Sequence, residues 1–289
     1  MKYFFLSCIS RVIPKKAIIS VYFFLKHRYR MSWDNPRTFS QKLQIIKLKL
    51  GRSDAKFADK ADVRSFVEDE IGARYLIELL GLYKENNIEK VKNHIEDHVV
   101  IKTTHGSGAS HIEICPTDLS WEEIRAKFKR ALKERYVGTF LGEEHYDFIE
   151  PQLIVERKIG ERSESPVDYK FHIFRKGKEI NWVLQIDWDR FSQHKRNFYD
   201  SELNLLNVEV TYPNGNFTLP SEEKLSEMLS IAQRLSESFI YARIDLYLIE
   251  NCIYFGEITL SSGSGFEKIV PHDFDLLLGS YLPSLTTEG

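Results

Sequence analysis

An α+β fold is predicted for this 289-residue chain by two observations. Amphipathic helical stretches alternate with pairs of strand-like segments, and tight turns such as Gly177-Lys178 join those segments as hairpins. That alternation argues for mixed layers rather than a purely parallel sheet. Length allows a large core in one domain or in two to three packed subdomains. Composition is that of a globular protein, without repeats or low-complexity tracts.

Residues 38–92 carry mainly a helical period. "TFSQKLQIIKLKL" sets Phe39, Leu43, Ile46 and Leu50 on one stripe, and "KADVRSFVEDEIGARYLIELLGLY" continues it. Ser120 with Glu123 forms a capping box ahead of a further helix, and residues 221–239 form another, with Leu225, Leu229, Ala232 and Leu235 inward. Strands are expected at 99–104, 111–115, 152–159, 169–175, 179–187, 241–249 and 253–260. Boundaries fall near 93–97 and in the polar stretch 160–168. They divide the chain into a basic, mainly helical region (1–95), a smaller unit (96–165) and a larger one (166–285).

Net charge is only -2, but it is unevenly spread. Asp34 is the sole acid before residue 51, amid many lysines and arginines, whereas acids outnumber bases from Thr218 onward. The basic end fits an anionic partner such as nucleic acid, a lipid surface or an acidic glycan. "YFFLSCI" and "AIISVYFFL" are both shorter than the ~20 apolar residues that span a bilayer. No small-residue cleavage site follows them, so a signal peptide is not expected. A basic, aromatic stretch of this kind lies on a membrane surface or packs against its own domain. Cys8, Cys115 and Cys252 are far apart and form no Cys-x-x-Cys pair. A disulfide framework and a zinc site are therefore not expected, and a reducing, cytoplasmic compartment is.

"VVIKTTHGSGASHIEIC" places Lys102 before a run of small residues, and an alternating strand follows the run. A Walker A or Rossmann loop must open a helix, so His105, Gly106, Ser107 and Gly108 are expected at the tip of a β-hairpin instead. Such a tip offers backbone N–H groups to phosphate without side-chain obstruction. His105 either points at phosphate or caps the turn.

"YARIDLYLI" and "IYFGEITL" each hold an acid in an apolar strand. If Ile249 pairs with Ile253 across a three-residue turn, Asp245 faces Glu257, Ile244 faces Ile258 and Leu248 faces Tyr254. A two-residue turn puts the acids on opposite faces. The apolar match favours the first register. Opposed carboxylates call for a cation such as Mg²⁺ between them, for protonation of one, or for pairing with a base such as Arg243.

Together these features resemble the ATP-grasp superfamily: Lys60 in "ADKADVR", Lys102 before the glycine hairpin, Glu156 ending "LIVE", and the Arg243-x-Asp245 and Glu257 strands. The resemblance implies two antiparallel-sheet subdomains clasping ATP behind the helical region. It also implies that Lys60, Lys102 and the hairpin residues contact phosphates. Glu156, Arg157, Lys158 and Ile159 would border the adenine, with Asp168 also at the nucleotide. Asp245, Glu257 and Thr259 would hold Mg²⁺, and Arg243 would steady the transferring phosphoryl group. Thr259 departs from the usual asparagine. "NPRTFSQKLQIIKL", "IKTTHGSG", "DYKFHIF", "DWDRFSQHKRNFYD" and "YFGEITLSSGSGFEK" narrow the resemblance to the teichuronopeptide-biosynthesis (TupA-like) branch, over residues 35–283.

That resemblance implies carboxylate activation by ATP, with an amine attacking the acyl phosphate. The expected partners are a uronic-acid-containing saccharide of a capsule or cell surface and an amine or amino acid, not nucleic acid. The expected location is cytoplasmic, at or near the inner membrane face. Arg190, His194, Lys195 and Arg196 beside aromatics suit an anionic sugar, or form a solvated basic loop. Ser261, Ser262 and Gly263 follow the metal strand, near the acceptor or merely in a turn. The alternatives are a glycosyltransferase using Asp187-x-Asp189, an ATP-grasp kinase, and a membrane-associated scaffold.

Overall fold

The computed structural model describes residues 13–134, 136–160, 165–190 and 192–286, and for Val137 the backbone alone. Cys8, the apolar stretch at 3–9 and part of the expected boundary at 160–168 lie outside these residues. In chain order the elements are α1 (Lys15–His27), α2 (Phe39–Lys49), α3 (Val63–Ile71), β1 (Leu79–Tyr83), β2 (Val99–Thr103), β3 (Ile112–Cys115), α4 (Trp121–Ala131) and β4 (Leu153–Arg157). There follow β5 (Asp168–Lys176), β6 (Glu179–Trp188), β7 (Lys195–Tyr199), β8 (Leu205–Leu206), β9 (Glu209–Val210), α5 (Glu222–Leu235), β10 (Tyr241–Ile249), β11 (Cys252–Thr259), β12 (Ile269–Val270) and α6 (His272–Ser280). Short 3₁₀ turns fill several connections.

All pairings are antiparallel. One sheet runs β1-β4-β2-β3, a second β11-β10-β5-β6-β7-β8, and β12-β9 form a small ribbon. Strand β1 lies inside the stretch expected to be helical. The helix ends at Gly72, whose φ of +99° favours glycine, and Leu79–Tyr83 then pairs with β4. The first sheet therefore draws on residues before position 96. Strand β7 was absent from the sequence expectation.

The sheets acquire their helices through period-two burial. In β2, Val99, Ile101 and Thr103 are fully buried, the first two with Ile124 and Phe128 of α4 in one core, while Val100 and Lys102 face the other way. The capping box of α4 forms as expected, with Glu123 accepting from the Ser120 N–H at 2.9 Å. On the large sheet, Phe171, Ile173, Leu184, Ile186, Ile244 and Ile258 share a core with α3 and α5. The opposite face is divided lengthwise. Phe174, Val183, Phe198 and Tyr241 pack under α2 and α6, whereas Asp168, Lys170, Gln185, Asp187, Arg243 and Asp245 make a polar ribbon beside them. Helix α2 is fastened to α6 by Lys42, whose ammonium donates to three carbonyls at 2.8–3.0 Å, those of Gly279, Leu282 and Pro283.

The β10–β11 hairpin reaches the expected pairing by a different route. Ile249 pairs with Cys252 across a two-residue turn, Glu250-Asn251, with both φ values positive. That turn alone would place the two acids on opposite faces. A bulge at Gly256 takes up one residue, so Asp245 still faces Glu257, while Leu248 pairs with Ile253 rather than Tyr254. A Cβ on Gly256 would stand 2.9 Å from the Asp245 carbonyl oxygen and 3.0 Å from the Tyr247 ring. Gly256→Ala is therefore expected to lower the unfolding free energy by about 1–3 kcal/mol. Urea denaturation checks this, and an unchanged midpoint would contradict the bulge.

Candidate active site

A cavity of about 490 Å³ separates the two sheets, within the range of small-molecule and cofactor sites. The first sheet contributes Val100, Lys102, Ile114 and Glu156, and the β2–β3 hairpin tip contributes Gly106, Ser107 and Gly108. Tyr247, Phe255 and Glu257 of the large sheet form the opposite wall, and Arg157, Lys158 and Ile159 the connecting edge. The wall combines the apolar side chains of Ile77, Ile159 and Phe255 with the cations Lys60, Arg64 and Lys102, and Arg64 donates to the Ile77 carbonyl at 2.7 Å.

Each cation has a defined seat. Lys60 donates to the Gly106 carbonyl at 2.7 Å and so ties the segment before α3 to the hairpin. Burial pushes its pKa down. Lys102 donates to Glu156 at 2.8 Å, and Arg64 donates to the other oxygen of the same carboxylate at 2.8 Å. Glu156 is therefore held by two cations from opposite sides. Arg64 escaped the sequence reading, although it lies one helical turn beyond Lys60 in the same motif.

The hairpin tip has its own requirements. Gly108 has φ of +84°, and a Cβ on Gly106 would come within 2.0 Å of the His111 ring. His111 lines the cavity, and its Nδ1 lies 2.8 Å from the Thr103 hydroxyl. His105 does not line the cavity. It is buried beside His111, with Nε2 3.1 Å from the Glu134 carbonyl oxygen. The histidine that lines the cavity is thus His111, which the sequence reading did not single out.

The densest charge lies on the polar ribbon. Asp245 is 1% exposed. Arg243 donates to its Oδ1 at 2.7 Å and to its Oδ2 at 2.8 Å, and Lys170 donates to Oδ2 at 2.6 Å. Burial alone would raise the Asp245 pKa, but Arg243 and Lys170 outweigh it and hold the carboxyl well below the usual range. Lys170 also reaches Asp168 at 3.2 Å, and Arg190 reaches the other oxygen of Asp168 at 2.7 Å. Burial disfavours the Lys170 ammonium, yet Asp245 and Asp168 raise its pKa. Lys170 belongs to the "DYKFHIF" segment, where the sequence assigns it no role. Its signal was the strand period, which puts Asp168, Lys170 and His172 on one face. Arg243 also donates to Glu257 at 2.8 Å and to the hydroxyls of Thr259 and Ser262 at 3.2 and 3.0 Å.

Ser261, Ser262 and Gly263 lie beneath this cluster rather than in the cavity wall. Ser261 bonds to the buried Glu143, and the loop carbonyls are held from the helical region. Lys47 donates to the Ser264 carbonyl at 2.8 Å and Gln44 to that of Gly265 at 2.9 Å, while His27 Nε2 is 3.0 Å from the same Gly265 oxygen. Burial lowers the Lys47 pKa to about 7. The basic helices thus position the loop that carries Ser262, and through it Arg243.

The basic loop divides in two. Arg190 and His194 line the cavity, with His194 stacked on Tyr212 at 3.6 Å between ring centroids. Arg196 does not, because its guanidinium grips Asp187 at 2.6 and 3.0 Å. Lys195 lies outside the wall, beside Gly215. Asp168 is buried behind Lys170 and Arg190 and does not line the cavity. The Asp187 pairing also removes the Asp-x-Asp pattern from metal binding, and Asp189 occupies a turn with φ of +54°. Cys115 is buried and its thiol pushed up to about 11 by burial, so it offers no thiolate.

Among the described residues no group of three or more His, Cys, Asp or Glu side chains is placed to hold a metal ion. Of the expected Asp245–Glu257 metal pair only Glu257 lines the cavity, while Asp245 accepts three hydrogen bonds from Arg243 and Lys170. Glu257 does fit a cation. It lines the cavity with its side chain 43% exposed, and only its Oε1 is taken, by Arg243 and Thr259. A magnesium ion that arrives with phosphates and water needs only one or two carboxylates. Thr259 is engaged by Arg243 and Glu257.

A family model described as TupA-like ATPgrasp matches residues 41–283. No curated protein matches the sequence significantly. Among solved structures, the chain is similar to the D-alanine–D-alanine ligase of Helicobacter pylori, with 14% identity, 78% of this chain and 61% of that chain covered, and a TM-score of 0.46. It is similar also to the D-alanine–D-alanine ligase of Bacillus anthracis (12% identity, 72% and 58% covered, TM-score 0.42). A third is the biotin carboxylase domain of Hydrogenobacter thermophilus 2-oxoglutarate carboxylase (15% identity, 71% and 40% covered, TM-score 0.41), solved with MgADP and bicarbonate. The chain spans 61% or less of the length of each of these proteins.

Asp245→Asn, which leaves Lys170 and Arg243 with one neutral partner, is expected to cost about 3–5 kcal/mol at neutral pH. Because the folded pKa of Asp245 is depressed, that contribution is complete above about pH 4 and lost as the pH falls further. Urea denaturation of both proteins from pH 7 to pH 3 checks the sign. A difference that does not shrink in acid would contradict the pairing.

Proposed function

Because the chain belongs to the TupA-like ATP-grasp family, we propose that it is an ATP-dependent carboxylate–amine ligase working through an acyl phosphate. Its two antiparallel sheets form the ATP-grasp fold. The observation that carries the reading is the cavity between them, whose lining combines apolar side chains with the cations Lys60, Arg64 and Lys102 and with Glu257, which Arg243 holds from behind. ATP enters with its adenine against Ile77, Ile159 and Phe255 and its phosphates toward Lys60, Lys102 and the Gly106–Gly108 backbone. Magnesium, held by Glu257, neutralises phosphate charge when bound.

The reaction balances without a protein nucleophile. A substrate carboxylate oxygen bonds to the γ-phosphorus as the bond to the β-phosphate oxygen breaks, releasing ADP. The amine then bonds to the acyl carbon, phosphate leaves, and the amine loses a proton. Arg243, fixed by Asp245 and Ser262, stands behind the cavity wall and steadies the transferring phosphoryl group through Glu257, to which it donates. Lys102 bridges Glu156 and the phosphates. Most of the acceleration comes from preorganised charge and positioning.

The proposed acceptor is a uronic-acid carboxylate of a cell-surface polysaccharide, and the amine an amino acid. Arg190 and His194 support this, since a guanidinium and an imidazole at the cavity mouth match a further anionic group on the sugar. Arg190 keeps donors free beyond its bond to Asp168. A location on the cytoplasmic side, where ATP is available, accompanies the proposal.

Incubation with ATP, Mg²⁺, uronic-acid saccharides and an amine panel tests it. ADP release that needs both acid and amine, with an amide of matching mass, is the expected result. A stable phosphorylated acceptor would replace ligation by kinase activity. Lys102→Ala and Glu257→Ala are expected to reduce kcat/KM by about 100-fold or more, and unchanged turnover in both would contradict the site.

A further inference from the structure

Helix α1 has two apolar faces, and only one is used by the fold. Ile19 and Phe23 are fully buried, in a cluster with Phe266, and Tyr29, Met31 and Trp33 pack against it. On the other side Val21 is 62% exposed, Leu25 53% and Phe24 48%, with Tyr22 and Ile13 beside them. At 3.6 residues per turn, Ala17, Val21, Phe24 and Leu25 fall on one stripe. No described residue covers this stripe.

Cations stand at both ends of the helix, Lys16 on the face of Ile19 and Phe23 and Lys26 beside Tyr22. Lys16, Lys26, Arg28 and Arg30 are all exposed. The ammonium of Lys26 stands 5.5 Å from the Tyr22 ring centre, and that of Lys16 stands 5.7 Å from the Trp33 ring. Aromatic rings with lysines at their edges suit the boundary between acyl chains and headgroups, where the ring and the lysine stem are buried and the charge stays wet. At 13 residues α1 is far too short to cross a bilayer, and no described helix is long and apolar enough to do so.

We propose that α1 is an interfacial helix that docks this protein on an anionic lipid surface. Val21, Phe24 and Leu25 enter the acyl boundary, and Lys26, Arg28 and Arg30 at the end of the helix meet lipid phosphates. Charge complementarity selects this occupant. The helix itself carries cations and no acid, in a sequence where Asp34 is the single acid before residue 51, and Glu144, the acid beside it, is paired with Lys15. The inference rests on the helix alone and is independent of the reaction assigned to the cavity.

Cosedimentation of the full chain with phosphatidylcholine vesicles, with and without phosphatidylglycerol, tests the proposal. The wild-type protein is expected to pellet only with the anionic vesicles and to be released by salt. Val21→Glu/Phe24→Glu/Leu25→Glu is expected to weaken partitioning at least about tenfold while keeping the wild-type melting profile. Lys26→Glu/Arg28→Glu is expected to weaken it and to reduce the salt dependence. The proposal is overturned if the wild-type chain stays in the supernatant or if the triple variant binds equally well. It is overturned also if the wild-type chain is a dimer that the triple variant dissolves, or if binding appears only after removal of residues 1–12, which would make that segment the cover.

Discussion

A carboxylate buried between two cations organises the large sheet. Asp245 has no access to water, and an isolated charge in that place would cost several kcal/mol. Lys170 and Arg243 offset this by approaching from the two neighbouring positions that the antiparallel register supplies, one on β5 and one two residues back on β10. Because Arg243 also touches Glu257, Thr259 and Ser262, the arrangement of the cavity's charged end follows from how Asp245 is satisfied. Gly256 stands upstream of this, since the bulge there puts Asp245 and Glu257 on the same face.

The helical region has a defined task in this arrangement. Helix α2 covers the apolar half of the sheet face that carries the polar ribbon, and its polar side chains Gln44 and Lys47 fix the loop after β11. That loop supplies Ser262 to Arg243. The N-terminal helices therefore act on the cavity through two hydrogen-bonded layers, without lining it. Lys60 and Arg64, at the entrance to α3, line it directly and bind the hairpin and Glu156 in turn.

Much of this was legible in the sequence because period and turn chemistry are local. The small residues after Lys102, with an alternating strand behind them, pointed to a hairpin rather than a helix. The Asp245–Glu257 opposition was legible too, but its cause was not: a two-residue turn with a compensating bulge leaves the same pairing at the acids as a three-residue turn. What the sequence hid was which charges satisfy each other. Arg196 and Lys170 look alike as strand cations, yet one is consumed by Asp187 and the other joins Asp168 to Asp245. His105 and His111 flank the same glycines, and only the hairpin's path decides which one meets the cavity. The strand at Leu79–Tyr83 was hidden by an apolar run that fits both periods until β4 selects one.

The most direct measurement is a crystal structure of the protein with Mg²⁺ and a non-hydrolysable ATP analogue. The account predicts nucleotide between the sheets, Glu257 as the carboxylate on the metal, and Asp245 still within hydrogen-bond distance of both Lys170 and Arg243. A metal ligated by Asp245, with Arg243 and Lys170 displaced from it, would contradict the account.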